Sequence, residues 1–255
     1  MRFLRMTSFQ LRYVNKAYWR NPAAAFFTFA FPLMFLVIFT SLLGDGRVFL
    51  FGRALHQSTY YVAQMAAFGV ISACYVYVGV ALAVQRDLGI LKRASGTPMP
   101  PLVFFAARVM HALLIAVMLV AITAGFGHVA YHADLPGGLS LLRFLVMLAV
   151  GSMSFCALGF AVTVVIPNAD AATPIVNATI LPLLFLSGVF IPLGDDAAGW
   201  VKWVGRIFPV RHFANGMLSG FLGTPFQWRD VVVVAAWGAA GLLVAVRRFS
   251  WEPRT

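Results

Sequence analysis

The sequence predicts an all-α integral membrane protein with six spans. Three observations lead there. The 255 residues are 61% hydrophobic and only 11% charged, with a mean hydropathy of +0.87. A soluble domain of that length needs a polar shell that this chain has too little polar material to build. The apolar runs suit helices rather than barrel strands. The charges gather at the ends of those runs. The formal net charge of +11 therefore reads as orientation in a membrane rather than as a nucleic-acid surface.

Residues 1–22 are basic and amphipathic. Arg5, Arg12 and Lys16 fall on one helical face, and Phe3, Met6, Tyr13 and Ala17 on the other, the pattern of an interfacial helix. A signal peptide fits worse, because the next run is too long for an h-region and no small-residue cleavage site follows it. The spans are expected at 23–43, 60–84, 102–127, 144–166, 171–194 and 231–246. Pro32 should kink the first, and Pro174, Pro182 and Pro192 should break the fifth. Residues 45–59 read as a loop. The sixth run is short for a span, so its helix should extend past the flanking charges. Before it, Trp200, Trp203, Val204 and Ile207 share one face of an amphipathic surface helix. Residues 213–222 read as a second short helix that dips in and returns. Six spans put both termini on one side, and the Lys/Arg bias makes that side cytoplasmic.

Polar chemistry is sparse. Asp45, Asp87, Asp134, Asp170, Asp195, Asp196, Asp230 and Glu252 all lie in loops, at span ends or in the tail. An ion-driven carrier usually places an acid or a broken helix near the midplane. The proline-broken fifth span keeps a secondary carrier open as an alternative. No phosphate loop, H-E-x-x-H or G-x-S-x-G motif occurs, so the chain is expected to be no enzyme and to hold no cofactor or metal. His111 and His128 lie toward opposite ends of one helix and cannot share a metal. Cys74 and Cys156 read as buried hydrophobes, and Gly69, Gly79, Gly151, Gly159 and Ser187 as close-packing points. Arg108 is expected to snorkel to the inner headgroups.

Residues 85–101 are organised differently. Arg86, Asp87, Lys92 and Arg93 precede Gly96, Pro98, Pro100 and Pro101. Such a segment forms a short helix flat on the membrane face, its charged side turned outward to dock another protein. The alternative is an ordinary loop of solvated, positive-inside charges.

Three stretches then resemble one family, the ABC-2 type permeases. They are the segment 86–93 with Thr97 and Pro98, the span ending 186–192 (LSGVFIP), and Phe208-Pro209 through His212 and Gly216. Asp87 stands where the family usually has Glu. The resemblance implies a membrane subunit of an ATP-driven exporter. A separate ABC ATPase, in two copies, would bind ATP and Mg. A second permease chain, identical or related, would complete the pathway. It also implies ATPase coupling through Arg86, Asp87, Gly89, Lys92, Arg93, Thr97 and Pro98, and an outer re-entrant hairpin carrying Pro209, His212 and Gly216. The pathway residues chosen on the second and fifth spans are Tyr75, Tyr77, Phe185 and Phe190. The aromatic spans favour a hydrophobic drug, antibiotic or lipid as cargo. Polysaccharide or glycolipid export, an ion-coupled carrier and a non-transporting sensor or scaffold remain as alternatives.

Overall fold

Six helices in the computed structural model are long and apolar enough to cross a membrane; the structure describes residues 2–43, 46–50, 53–193, 198–224 and 227–252. Helix α1 (Arg2–Trp19) precedes the first span, α2 (Pro22–Leu43). A turn separates them, in which Asn21 Oδ1 accepts the Ala24 N–H at 3.2 Å, as a helix N-cap does. Pro22 opens α2, where its missing N–H costs nothing. Pro32 lies inside α2.

The segment expected as a loop at 45–59 contains an antiparallel hairpin, β1 (Arg47–Leu50) and β2 (Arg53–His56), with Arg47 opposite His56. Asp45 lies outside the described residues. The second span then starts three residues before the expected Tyr60. It runs as α3 (Gln57–Ile71), a π-helical turn (Ser72–Val76) and α4 (Tyr77–Asp87). A short helix, α5 (Ile90–Ser95), follows after Gly89, which adopts φ +67°. Only glycine enters that left-handed region without steric cost.

The third span, α6 (Pro101–Tyr131), begins on Pro101 at its first turn and ends at His132 in a left-handed conformation. The fourth is α7 (Leu139–Val162) and the fifth α8 (Ala169–Leu186). Pro174 and Pro182 lie inside α8. Pro192 does not break a helix, contrary to expectation, because α8 has already ended at Leu186 and Gly188 turns the chain at φ +83°. Two helices, α9 (Gly199–Ile207) and α10 (Pro209–Leu222), precede the sixth span, α11 (Trp228–Arg248). This last helix takes in its flanking charges, Arg229 and Asp230 at one end and Arg247 and Arg248 at the other, as its short apolar run requires.

The second span is the most enclosed of the six; α2, α6, α7 and α8 pack against it, while α11 packs on α7 and α10. Small residues make the approaches close. A Cβ on Gly159 would sit 3.0 Å from the carbonyl oxygens of both Cys74 and Tyr75, and one on Gly238 would sit 2.8 Å from Cα of Ser154. The expected close-packing role of Gly69, Gly79, Gly151 and Gly159 follows the same geometry, each having a neighbouring side chain or backbone within 3.0 Å of its missing Cβ. Helices in lipid associate largely through such contacts. Gly159→Ala is expected to lower stability by about 1–3 kcal/mol, because backbone on the π turn cannot yield as a side chain could. A thermal unfolding midpoint in detergent unchanged from the parent would contradict this.

One end of the bundle gathers α1, α5, the α7–α8 turn and the C-terminal tail. Thr97, Pro98 and Met99 lie with Arg5 and Arg12 along one groove, Lys92 pairs with Glu252 at 3.5 Å, and the Trp251 ring lies tilted against Phe104. The opposite end carries the hairpin and the 132–138 loop, where Asp134 N–H donates to Thr59 Oγ1 at 3.1 Å. Helix α1 and the described part of the C-terminal tail therefore lie at the same end of the bundle, as an even number of spans demands.

Candidate functional site

The 85–101 segment divides into two parts with opposite fates. Lys92 and Arg93 on α5 are exposed, as are Thr97 and Pro98. Leu88 is also exposed, while Leu91 is fully buried and anchors α5 to the bundle. Gly89 supplies the turn between α4 and α5. This part forms a protruding foot with mixed apolar and basic surface.

Arg86 does not belong to that surface, which corrects the sequence expectation. Its side chain is 2% exposed and points into the bundle. Its guanidinium donates to the carbonyls of Thr163 at 3.0 Å, Ile166 at 2.7 Å and Pro167 at 3.3 Å. Thr163 is the C-cap of α7, where carbonyls lack intrahelical donors and a cation meets the favourable end of the dipole; Ile166 and Pro167 lie in the turn beyond it. Asp87 lies 3.7 Å from Arg86 and accepts the N–H of Ala169, the first residue of α8. Asn168 Oδ1 accepts from Ala171 N–H at 2.9 Å, so α8 begins capped by its own Asn and held by Asp87. The Arg86–Asp87 pair thus clamps both sides of the α7–α8 turn to the end of α4, directly above the foot. No spacing rule announced this, because residues 86 and 163–169 meet only through the packing of α4 on α7 and α8.

Higher in the bundle, the π turn of the second span faces α8. Tyr75 and Thr179 share a hydroxyl hydrogen bond of 2.7 Å. Thr179 in turn donates to the Val176 carbonyl at 2.8 Å. Pro182 has no N–H to offer the carbonyl of Ala178 four residues earlier. Two irregular backbones therefore lie at the same level, and a π turn of this kind frequently marks a functional position. Beside them is a cavity of about 330 Å³ lined by Tyr75, Thr179, Pro182, Phe155, Phe208 and Trp237 among others. Its walls are apolar except for the hydroxyl pair and the α8 backbone, which suits a hydrophobic ligand with few polar groups.

The four residues chosen for the pathway do not share one wall. Tyr75 lines this cavity. Tyr77 turns the other way, its ring edge-on to Tyr18 of α1 at 5.3 Å and near His111 of α6 at 6.3 Å. Residues two apart on a helix do not face each other, a signal that was present in the sequence. Phe185 and Phe190 do meet, their ring centroids 4.8 Å apart. With Phe35, Phe39 and Phe68 they form an aromatic cluster at the end nearer the hairpin.

The residues expected in an outer re-entrant hairpin are built inward. Pro209 and His212 are buried, and Gly216 admits Met147, whose side chain would stand 2.7 Å from a Cβ there. His212 makes two hydrogen bonds, from Nδ1 to Asp230 at 2.6 Å and from Nε2 to the Arg206 carbonyl at 3.0 Å. The Asp230 carboxylate holds the His212 imidazole above its ordinary pKa, against an opposing effect of burial. On α9, Trp200, Trp203 and Ile207 are exposed, the arrangement of an aromatic belt at a membrane boundary. Asp195, Asp196 and residues 225–226 of the hairpin lie outside the described residues. No group of three or more His, Cys, Asp or Glu that could hold a metal occurs among the described residues.

The family model described as "ABC-2 type transporter" matches residues 8–222. This chain belongs to the ABC-2 type transporter family. An ABC-2 permease is the membrane subunit of a transporter rather than its ATPase, and the family generally works with an ABC ATPase partner. The chain is accordingly a multi-pass transport permease. It is 27% identical over 220 residues to the daunorubicin resistance ABC transporter permease protein DrrB1 of Streptomyces coeruleorubidus, covering 84% of this chain and 73% of that protein. It is 20% identical over 222 residues to the putative transport permease YvfS of Bacillus subtilis (strain 168), covering 86% of each. A shorter stretch of 102 residues, 40% of this chain and 38% of its relative, is 32% identical to nodulation protein J of Rhizobium leguminosarum bv. trifolii.

Proposed function

We propose that this permease exports a hydrophobic drug, antibiotic or lipid across the cytoplasmic membrane, with ATP and Mg bound by a separate ABC ATPase. The observation that carries the cargo class is the apolar cavity beside the Tyr75–Thr179 hydroxyl pair. An apolar pocket with few polar groups selects amphipathic or apolar molecules and gives a strongly hydrated glycan little to bind. The daunorubicin resistance permease among its relatives supports the same class.

The foot is the ATPase docking element in this reading, with Lys92 and Arg93 making charge-assisted contacts at the partner's surface. Two ATPase copies would sit beneath two permease chains, and both termini would face the cytoplasm. Movement of α5 reaches the cavity by a short mechanical route. The Arg86–Asp87 clamp ties the end of α4 to the start of α8, and α8 carries Thr179 and the Pro182 break. A displacement at the foot therefore changes the position of α8 against the π turn, where the cavity lies.

The test is ATP hydrolysis by the permease–ATPase complex in proteoliposomes, with an anthracycline as the probe. Stimulation by the drug, with accumulation across the membrane, is expected. Thr179→Trp, which fills the cavity, should reduce stimulation at least about tenfold, the effect of roughly 1.4 kcal/mol of lost cargo binding, while leaving basal hydrolysis unchanged. Transport driven by an ion gradient without ATP would instead establish a secondary carrier. Stimulation equal in the parent and Thr179→Trp complexes would remove the cavity from the pathway.

A further inference from the structure

A second recess opens on the other side of the second span, away from the Tyr75 cavity. It lies between α1, the end of α4, α5 and the start of α6. An outer groove of about 830 Å³ has Arg5 and Arg12 at its mouth. It shares Phe9, Gln10 and Met99 with an inner cavity of about 500 Å³. The inner walls are mostly apolar, formed by Tyr13, Ala17, Ile90 and Phe104 among others. Arg108 is part of the same lining.

Arg108 has no carboxylate partner among the described residues. Its guanidinium lies over the Phe104 ring at 3.3 Å from the centroid, donates to Gln85 Oε1 at 2.6 Å, and reaches the Phe104 carbonyl at 3.3 Å. A guanidinium carries five N–H donors, so these acceptors leave donors over for the recess. It therefore does not simply snorkel outward as expected from sequence; Gln85 holds it against α4. Next to it His111, 1% exposed, has neither ring nitrogen hydrogen-bonded among the described residues. His111, Gln85, Tyr77 and Arg108 together line a further void of about 20 Å³, continuous in its lining with the inner cavity.

A guanidinium that lines a mostly apolar recess without a carboxylate partner is stabilised by an anion that reaches it. The recess sits where the spans end on the foot side, so its occupant comes from that leaflet. Its two chemical demands are an anionic head and a long apolar body, and the basic mouth adds long-range attraction for the same charge. We infer that this recess binds an anionic phospholipid, its phosphate held by Arg108 and Gln85 and its acyl chains lying beneath α1. The lipid then wedges between α1 and the α4–α5 corner, at the root of the foot.

The test uses the full-length permease co-purified with its ATPase and stripped of native lipid. Phosphatidylglycerol and phosphatidylcholine are titrated separately, and retained lipid is counted by native mass spectrometry. The parent should hold one phosphatidylglycerol with a preference of at least about tenfold over phosphatidylcholine, the scale of one charge-assisted contact. Arg108→Gln should abolish the preference and Arg108→Lys should keep part of it. Ala17→Trp fills the apolar wall without touching any charge, and should also abolish retention. Equal retention of the two lipids by the parent, or unchanged phosphatidylglycerol binding in Ala17→Trp, overturns the inference. Displacement by inorganic phosphate at matched concentration would show a free-anion site and overturn the lipid assignment.

Discussion

Arg86→Ala is expected to destabilise the permease by about 3–5 kcal/mol, the cost of breaking a buried, hydrogen-bonded charge pair. The substitution removes the donor that satisfies the carbonyls of Thr163, Ile166 and Pro167 at the α7–α8 turn. It also leaves Asp87 without its cation, 3.7 Å away in the parent. Arg86→Lys should recover only part of the loss, because one ammonium cannot fork across carbonyls that a planar guanidinium reaches together. Unfolding in detergent, followed by intrinsic fluorescence, measures this; a parent-like midpoint for Arg86→Ala would contradict it. The functional consequence is separable. In complexes that still assemble, the lysine variant should hydrolyse ATP at the basal rate yet respond less to cargo, since the clamp is what joins the foot to α8. Reversing charge at Lys92 or Arg93, both exposed, should instead weaken association with the ATPase and leave the unfolding midpoint within about 0.5 kcal/mol of the parent. The two outcomes distinguish a docking residue from one that transmits.

Breaking the His212–Asp230 pair is expected to cost a similar amount, about 3–5 kcal/mol at pH 6, because either single substitution strands a buried polar partner. The pair joins α10 to the first turn of α11, and His212 also reaches back to the Arg206 carbonyl at the end of α9. Satisfying both acceptors needs two N–H donors, which only the protonated imidazole has. The Asp230 carboxylate raises the His212 pKa above its usual 6.5, with Arg229 nearby acting in the opposite sense. A folded pKa above the unfolded one means that the imidazolium's contribution is fully present below about pH 6.5 and lost as pH rises through the folded value. The parent should therefore be most stable in mildly acid conditions. The gap between the parent and His212→Ala should narrow as the pH is raised past neutrality. A gap that widens with pH would show that His212 is held neutral.

Much of the architecture was legible because its causes are local. Run length places each span, and the charges at the ends of the last apolar run were expected to fall inside its helix, Trp228–Arg248. The family was legible from three short stretches in order, and the comparison over residues 8–222 establishes it. The hairpin at 47–56 was not legible, since its strands are four residues each and its backbone pairing depends on a register that no motif announces. The π turn at 72–76 was hidden for another reason. It inserts an extra residue per turn into an otherwise uniform apolar helix, and Gly159 on α7 is what gives the displaced backbone room.

The sequence by itself determined that this chain crosses a membrane six times and returns to the side where it started, because hydrophobic length and flanking charge act one segment at a time. It also placed a charged foot at 85–101. Only the tertiary structure decided which of those charges face out. Arg86 and Asp87 were turned inward by the carbonyls and N–H groups of a turn some eighty residues away, and Asp230 found His212 across a helix junction. Whether a polar side chain is spent on folding or left free for a partner depends on which faces meet in the bundle, and that is a property of the assembled packing rather than of any stretch of chain.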